Sequence, residues 1–352
     1  MTNIITLPGL IYLHVHLRDP GQTHKEDLYT GTSAALAGGF TAVVDMPNNK
    51  TLVTTEKLLD EKINLARQKA VCDIGFNFGT LGNNFDQFNR IYDKVIGLKV
   101  YLNVTTGGFI IDRQKLETIY NAWQSDKPIF LHSEEDVSDL VSSVIRKYPK
   151  RTHICHISSE AELRFIMELK DQGYPITCGV TPHHLLLSDK DYENLGAIAY
   201  MKPLLKPKSD QDFLWKNFDY IDVIESDHAP HTIEEKDSGD VPFGVPGLET
   251  TLPLILTAEH ESRVKHDQLL DKLFYKPSEI IGMKTDENTS IEVSLEEYEI
   301  KNEDLKTKCG WSPFAGRKVV GKVKRVFIRG DLVYENGNIL ATPGSAKVIG
   351  PG

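Results

Sequence analysis

Several things are scarce in this 352-residue chain, and each scarcity closes off a class of protein. The four cysteines, Cys72, Cys155, Cys178 and Cys309, stand far apart and form no Cys-x-x-Cys pair. Neither a disulfide framework nor a thiolate zinc knot is expected. No apolar run approaches the roughly 20 residues of a membrane span, and no signal peptide precedes the first expected strand, so the expected location is the cytoplasm. There is no sizeable basic block: 40 Lys and Arg face 50 Asp and Glu, a net charge of −10. That balance argues against nucleic acid or an anionic membrane as a partner. An anionic small-molecule substrate would need positive charge gathered locally. Internal repeats and low-complexity tracts are absent as well.

What is present is an ordinary globular composition, 40% hydrophobic and 26% charged, in an alternating order. Strand-like segments fall at 9–17, 40–46, 72–78, 95–102, 128–132, 152–157, 174–180 and 221–227. Helix-like segments lie between them, at 27–38, 55–70, 84–92, 113–124, 136–148 and 159–172. Two short helices, 188–195 and 209–217, fill the seventh crossover, and a pair at 249–262 and 266–281 follows the eighth strand. Strand and helix alternating eight times predict an α/β fold, a (β/α)₈ TIM barrel. A doubly wound open sheet shares most of that pattern. Beyond Met283 the character changes to short antiparallel strands around Ser290, Lys318–Gly330 and Asp331–Tyr334. The expected division is a barrel over 1–288 and a small β appendage over 289–352, with Ser345–Gly352 loose.

Ligand-type residues gather at the C-terminal ends of the expected strands, where barrel active sites are built. In Gly9-Leu-Ile-Tyr-Leu-His-Val-His-Leu-Arg18, period-two spacing puts His14, His16 and Arg18 on one face. Two imidazoles there are half of a metal site, and the arginine can hold an anion beside it. Taken alone, His-x-His is equally the look of a surface strand. Further along, Asp45-Met-Pro-Asn48, His132, Cys155-His156 and Asp227-His-Ala-Pro-His231 fall at the same end of successive strands. Lys99, inside the apolar Gly97-Leu-Lys-Val-Tyr-Leu, has to be paired, neutral or chemically changed. One reading is a stem buried with the amine at the barrel mouth. The other is a carbamate, an anionic two-oxygen ligand.

Pro8-Gly-Leu-Ile-Tyr-Leu-His-Val-His-Leu-Arg-Asp-Pro-Gly21, Met46-Pro-Asn-Asn, Gly97-Leu-Lys-Val-Tyr, His153-Ile-Cys-His, Thr181-Pro-His-His-Leu and Ser226-Asp-His-Ala-Pro-His together resemble the dihydroorotase branch of the amidohydrolase superfamily. The resemblance runs over nearly the whole chain, into Trp311-Ser-Pro-Phe. It implies a binuclear zinc centre: His14, His16 and Asp227 on one ion, His132 and His156 on the other, with carboxylated Lys99 and a hydroxide bridging them. It also implies reversible cyclisation of N-carbamoyl-L-aspartate to L-dihydroorotate in pyrimidine synthesis, with Asp227 as the catalytic proton carrier. Arg18, Asn48, His231, Lys202 and backbone groups at Phe243 and Gly244 match substrate contacts. Thr105, in Asn103-Val-Thr-Thr-Gly-Gly, matches a loop that closes over substrate. A homodimer is the family expectation.

Two positions depart from the pattern. Many relatives carry an acidic residue where this chain has Gly179, which could pair with a cysteine such as Cys155 on an extra metal. Gly179 therefore predicts no third zinc, and Cys155 as a small buried residue. Lys202 stands where relatives place asparagine or arginine, keeping a cation without the guanidinium fork. The chain begins close to the first barrel strand, so a reduced appendage is expected. Two other readings stay open: a different cyclic amidase, of hydantoinase or allantoinase type, and an inactive scaffold serving a partner such as aspartate transcarbamoylase.

Overall fold

The structure, a computed structural model, describes residues 3–105 and 108–350. Eight parallel strands form the barrel in sequence order: β2 (Leu10–Val15), β3 (Phe40–Asp45), β4 (Asp73–Gly79), β5 (Gly97–Tyr101), β6 (Ile129–His132), β7 (Thr152–Ile157), β8 (Ile176–Val180) and β9 (Val223–Ile224). The ring closes through a parallel bridge between Val15 and His228, where His16 N–H donates to the His228 carbonyl at 2.8 Å. Each strand is covered on both faces, which is why these segments read as apolar runs rather than as clean alternation. The open-sheet alternative is excluded.

Helices follow the strands where their caps allow. Asp27 caps Leu28–Ala37 in a reciprocal box with Thr30, Thr55 caps Glu56–Lys69, and Ser159 with Glu162 caps Glu160–Asp171. Their apolar faces join the barrel's outer wall in one large core with Leu59, Ile63, Leu163 and Ile166. No helix among the described residues is long and apolar enough to cross a membrane.

The appendage is a five-stranded antiparallel sheet in the order β1 (Ile4–Pro8), β10 (Ser290–Glu299), β11 (Lys318–Ile328), β12 (Asp331–Glu335), β13 (Asn338–Ile339). Two expectations are corrected here. The expected division assigned residues 1–288 to the barrel, but Ile4–Pro8 pairs with β10, so the appendage takes its edge strand from the N-terminal segment. Gly9 is the break between the sheets: a Cβ there would stand 2.4 Å from Thr41 Oγ1. Of the segment expected to be loose, the described residues 345–350 are docked. Ile74 N–H donates to the Lys347 carbonyl at 3.0 Å, and Ile349 N–H to the Ile74 carbonyl at 2.8 Å. Asp73 ties the same corner together, accepting from both Arg329 Nη atoms (2.6 and 3.2 Å) and from Lys347 N–H (2.9 Å).

Candidate active site

At the C-terminal mouth of the barrel a pocket is lined by His14, His16, Arg18, Asn48, Tyr101, Thr105, His132, His156, Lys202, Asp227, Phe243 and Gly244, with Ala229. Residues from strands at opposite sides of the ring meet there because every strand delivers its last side chain to the same end. His14 and His16 leave β2 together, with ring centroids 5.2 Å apart. His132 ends β6 and His156 lies near the end of β7; His132 Nδ1 lies 3.1 Å from His156 Nε2. Asp227 Oδ1 sits 2.9 Å from His16 Nε2 and 3.5 Å from His14 Nε2. Three of these residues hold left-handed backbone angles: Arg18 (φ 61°), His156 (φ 38°) and Asp227 (φ 44°). Such conformations cost on the order of 1–3 kcal/mol each in a non-glycine residue, and they gather where side chains must be aimed.

The electrostatics keep the imidazoles neutral and the carboxylate charged. Burial lowers His14 to about 4, and it also lowers His16, His132 and, furthest, His156. Burial works to raise Asp227, but the neighbouring His16 and His14 outweigh it and hold the carboxyl far below the usual range. Asn48 Oδ1 lies 2.5 Å from His16 Nδ1, on the side of the ring away from Asp227. His16 Nε2 faces Asp227 Oδ1, and His132 and His156 likewise bring ring nitrogens together. Neutral imidazoles and an ionised carboxylate, donors facing donors, are the state in which a divalent cation is bound. The donor set fits such an ion. Two buried groups could hold one, His14 with His156 and Asp227, and His14 with Cys155 and Glu225.

Cys155 is the small buried residue expected, and the second group sets it in a new light. An acid does stand beside Cys155, supplied by Glu225 after β9 rather than by β8. Burial pushes the Cys155 thiol up to about 12, and its Sγ accepts from Lys99 Nζ at 3.1 Å. Lys99 is fully buried below the pocket, its Nζ 5.0 Å from the Tyr101 ring centre, with no carboxylate in ion-pair range among the described residues. The snorkelling alternative therefore fails.

The substrate-side expectations divide. Arg18 is 3% exposed, and its Nε has no hydrogen-bond partner. Lys202 reaches the wall with Nζ 3.7 Å from Glu134 Oε1 and 5.4 Å from the Phe243 ring centre. His231 lies behind Arg18 rather than on the wall. Its Nε2 is 3.4 Å from Arg18 Nη2 and donates to the Phe243 carbonyl at 3.0 Å, while Lys25 Nζ is 3.1 Å from its Nδ1. Gly244 N–H donates to the Tyr200 carbonyl at 3.0 Å. A Cβ on Gly244 (φ 134°) would stand 2.5 Å from the Ala229 carbonyl oxygen, so only glycine lets the loop approach so closely. Thr105 reaches the pocket with a buried, unpartnered Oγ1, but the following Thr106 and Gly107 of the expected closing loop lie outside the described residues. Sequence reasoning missed Tyr101, Glu134 and Glu225. The two carboxylates were findable, because Glu134 is two residues after His132 and Glu225 two before Asp227, the same spacing that relates His14 to His16.

Comparison with known proteins agrees with this geometry. A family model described as "Dihydro-orotase-like" matches residues 3–76. The multifunctional protein CAD of Squalus acanthias is 42% identical over 349 residues, covering 98% of this chain but 16% of that protein, so the chain spans about a sixth of that relative. The dihydroorotase of Pyrococcus abyssi is 35% identical over 367 residues, covering 99% of this chain and 88% of the relative. Among solved structures, the L-hydantoinase (dihydropyrimidinase) of Arthrobacter aurescens superposes with a TM-score of 0.93 at 20% identity, covering 98% of this chain and 89% of that one. The last likeness is one of fold. The Pyrococcus match joins the two proteins nearly end to end at an identity that fold alone does not give, and on it the chain belongs to the dihydroorotase family of the amidohydrolase superfamily.

Proposed function

We propose that this chain is a dihydroorotase, interconverting N-carbamoyl-L-aspartate and L-dihydroorotate at a binuclear metal site. The coarser statement, a metal-dependent cyclic amidohydrolase, rests on the family and on the buried donor set. The observation that carries the finer one is Arg18. It is a buried guanidinium at the pocket wall whose Nε has no partner, with no carboxylate in ion-pair range among the described residues. A cation in that state calls for an anion from outside, and a planar fork suits a carboxylate. Dihydroorotate carries a carboxylate; hydantoin and allantoin do not.

In this reading His14, His16, His132, His156, Asp227 and carboxylated Lys99 hold the metal. A fully buried lysine whose only hydrogen-bonded partner among the described residues is a thiol supports the carboxylation. Bound divalent ions would polarise the reacting carbonyl and make water nucleophilic at neutral pH; zinc suits the nitrogen and oxygen donors. Arg18 holds the carboxylate that does not react. Asn48 keeps the proton on His16 Nδ1, so that Nε2 remains a donor to the ion. Asp227, held ionised, takes a proton from the attacking water and delivers it to the leaving ring nitrogen. In the cyclising direction it takes the amide proton of N-carbamoyl-L-aspartate, the nitrogen closes on the side-chain carboxylate, and water leaves. His231 supports this by bracing Arg18 and the Phe243 carbonyl from behind.

A second reading, another cyclic amidase, is favoured by the hydantoinase fold likeness. Hydrolysis of L-dihydroorotate, hydantoin and allantoin by the purified chain separates the two. Turnover of dihydroorotate is expected. Turnover of a neutral cyclic amide without it would move the substrate and leave Arg18 without its assigned role.

A further inference from the structure

Behind the pocket, Glu225 presents a fully buried carboxylate that the reaction outlined above does not use. Its Oε1 accepts the backbone N–H of His156, the residue held at φ 38°. Its Oε2 lies 3.6 Å from His14 Nδ1 and 3.6 Å from His153 Nε2. Glu225 Oε2, His14 Nδ1 and His153 Nε2 have no hydrogen-bond partner elsewhere among the described residues. A buried charge is tolerated only with compensating partners, so this carboxylate is placed for the two imidazoles and the strained amide. On the far side of the His14 ring, Nε2 faces Asp227. A carboxylate behind Nδ1 draws the ring proton to itself and leaves the Nε2 lone pair pointing into the pocket.

The neighbouring strand is cut to fit. A Cβ on Gly179 would lie 2.3 Å from Glu225 Oε1 and 2.5 Å from its Cδ. Any larger residue on β8 would push the carboxylate out of its place. Gly179 and Glu225 therefore form one device, a notch and the side chain that fills it.

We propose that Glu225 is a positioning residue for the metal site: it sets the tautomer and orientation of His14, anchors the His156 backbone, and depends on Gly179 for room. The inference rests on the reading above that His14 and His156 hold metal. Its test uses the full chain stripped of metal, with Zn²⁺ affinity and stoichiometry measured by competition against a chromogenic chelator and folding followed by thermal melting. Glu225→Gln and Glu225→Ala should each weaken Zn²⁺ binding by about 10- to 100-fold, with the number of ions per chain unchanged. Gly179→Ala should weaken it comparably, and should add nothing in a Glu225→Ala background, where the clash has been removed. Glu225→Asp should recover part of the loss. Unchanged affinity in the folded Glu225→Gln variant would overturn the proposal. Loss of one ion per chain in that variant would overturn it differently, by making Glu225 a ligand together with Cys155. If the unsubstituted chain binds no Zn²⁺ at all, the metal reading fails first and this inference falls with it.

Discussion

At the mouth of the barrel, Arg18 Nε, Tyr101 Oη, Thr105 Oγ1, His132 Nε2 and His156 Nδ1 are buried without hydrogen-bond partners, beside three residues at left-handed φ. At the opposite end, the polar groups that join barrel, appendage and tail are paired: Asp73 receives two bonds from Arg329 and one from the Lys347 backbone. The barrel wall between them is the same in kind, eight apolar strands inside a helical shell. Stability and chemistry have been assigned to different ends. The floor pairs its charges across a cavity lined by Gly9, Asp73 and Arg329, whereas the mouth keeps donors and acceptors that have no protein partner among the described residues. Unsatisfied buried groups ordinarily mark a defect. Others are scattered, Ser138 Oγ and Glu162 Oε1 in the helical shell and Ser294 Oγ in the appendage, but the five that face one pocket mark a site.

Substitutions at the two ends should differ in kind. The largest effect is expected at Asp227. Asp227→Asn should lower turnover by about 10²- to 10⁴-fold, the range for loss of a proton-transfer group, and further where metal is also lost. The melting temperature should hold, since Asn is nearly isosteric with Asp and tolerates the left-handed backbone at Asp227. Arg18→Lys comes next. Losing the fork should reduce kcat/KM by about 100-fold, in line with roughly 2–3 kcal/mol for a charge-assisted bidentate contact, and metal analysis should find the ion content unchanged. Metal loss in that variant would break the division between ion-holding and anion-holding residues.

At the floor the pattern should invert. Arg329→Ala strands a buried carboxylate and should cost about 2–4 kcal/mol in denaturant unfolding, with activity per folded molecule unaltered. The smallest effect belongs to the shell. Burial raises Glu162 to about 7, although Ser158 and Ser159 donate to it. A raised folded-state pKa means that its contribution is full below the unfolded value near 4.5 and is lost as pH rises through about 7. Glu162→Gln should therefore flatten the fall of melting temperature between pH 5 and 8 while leaving the metal site alone.

The same contrast explains what could be read from the sequence. The eight barrel strands were legible because parallel strands buried on both faces leave apolar runs, and the residues that line the mouth because they end those runs. Ile4–Pro8 was missed because only Gly9 separates it from β2, and a single glycine marks a close approach without saying which sheet lies on either side. Residues 345–350 hold on largely through backbone hydrogen bonds, which leave little pattern in side chains. His231 was given as a substrate contact by the resemblance, and a motif match does not report depth: it stands behind Arg18. Gly179 was read as an absence. In the folded chain it is the space that Glu225 fills.

The central claim is that the mouth is a metal site built for an anionic cyclic amide. It is tested most directly by metal analysis of the freshly purified chain beside L-dihydroorotate hydrolysis, before and after chelation and after zinc is restored. About two divalent ions per chain are expected, with turnover that is lost and recovered with them. Turnover that survives complete removal of metal, or a metal-free chain with no turnover, would contradict it.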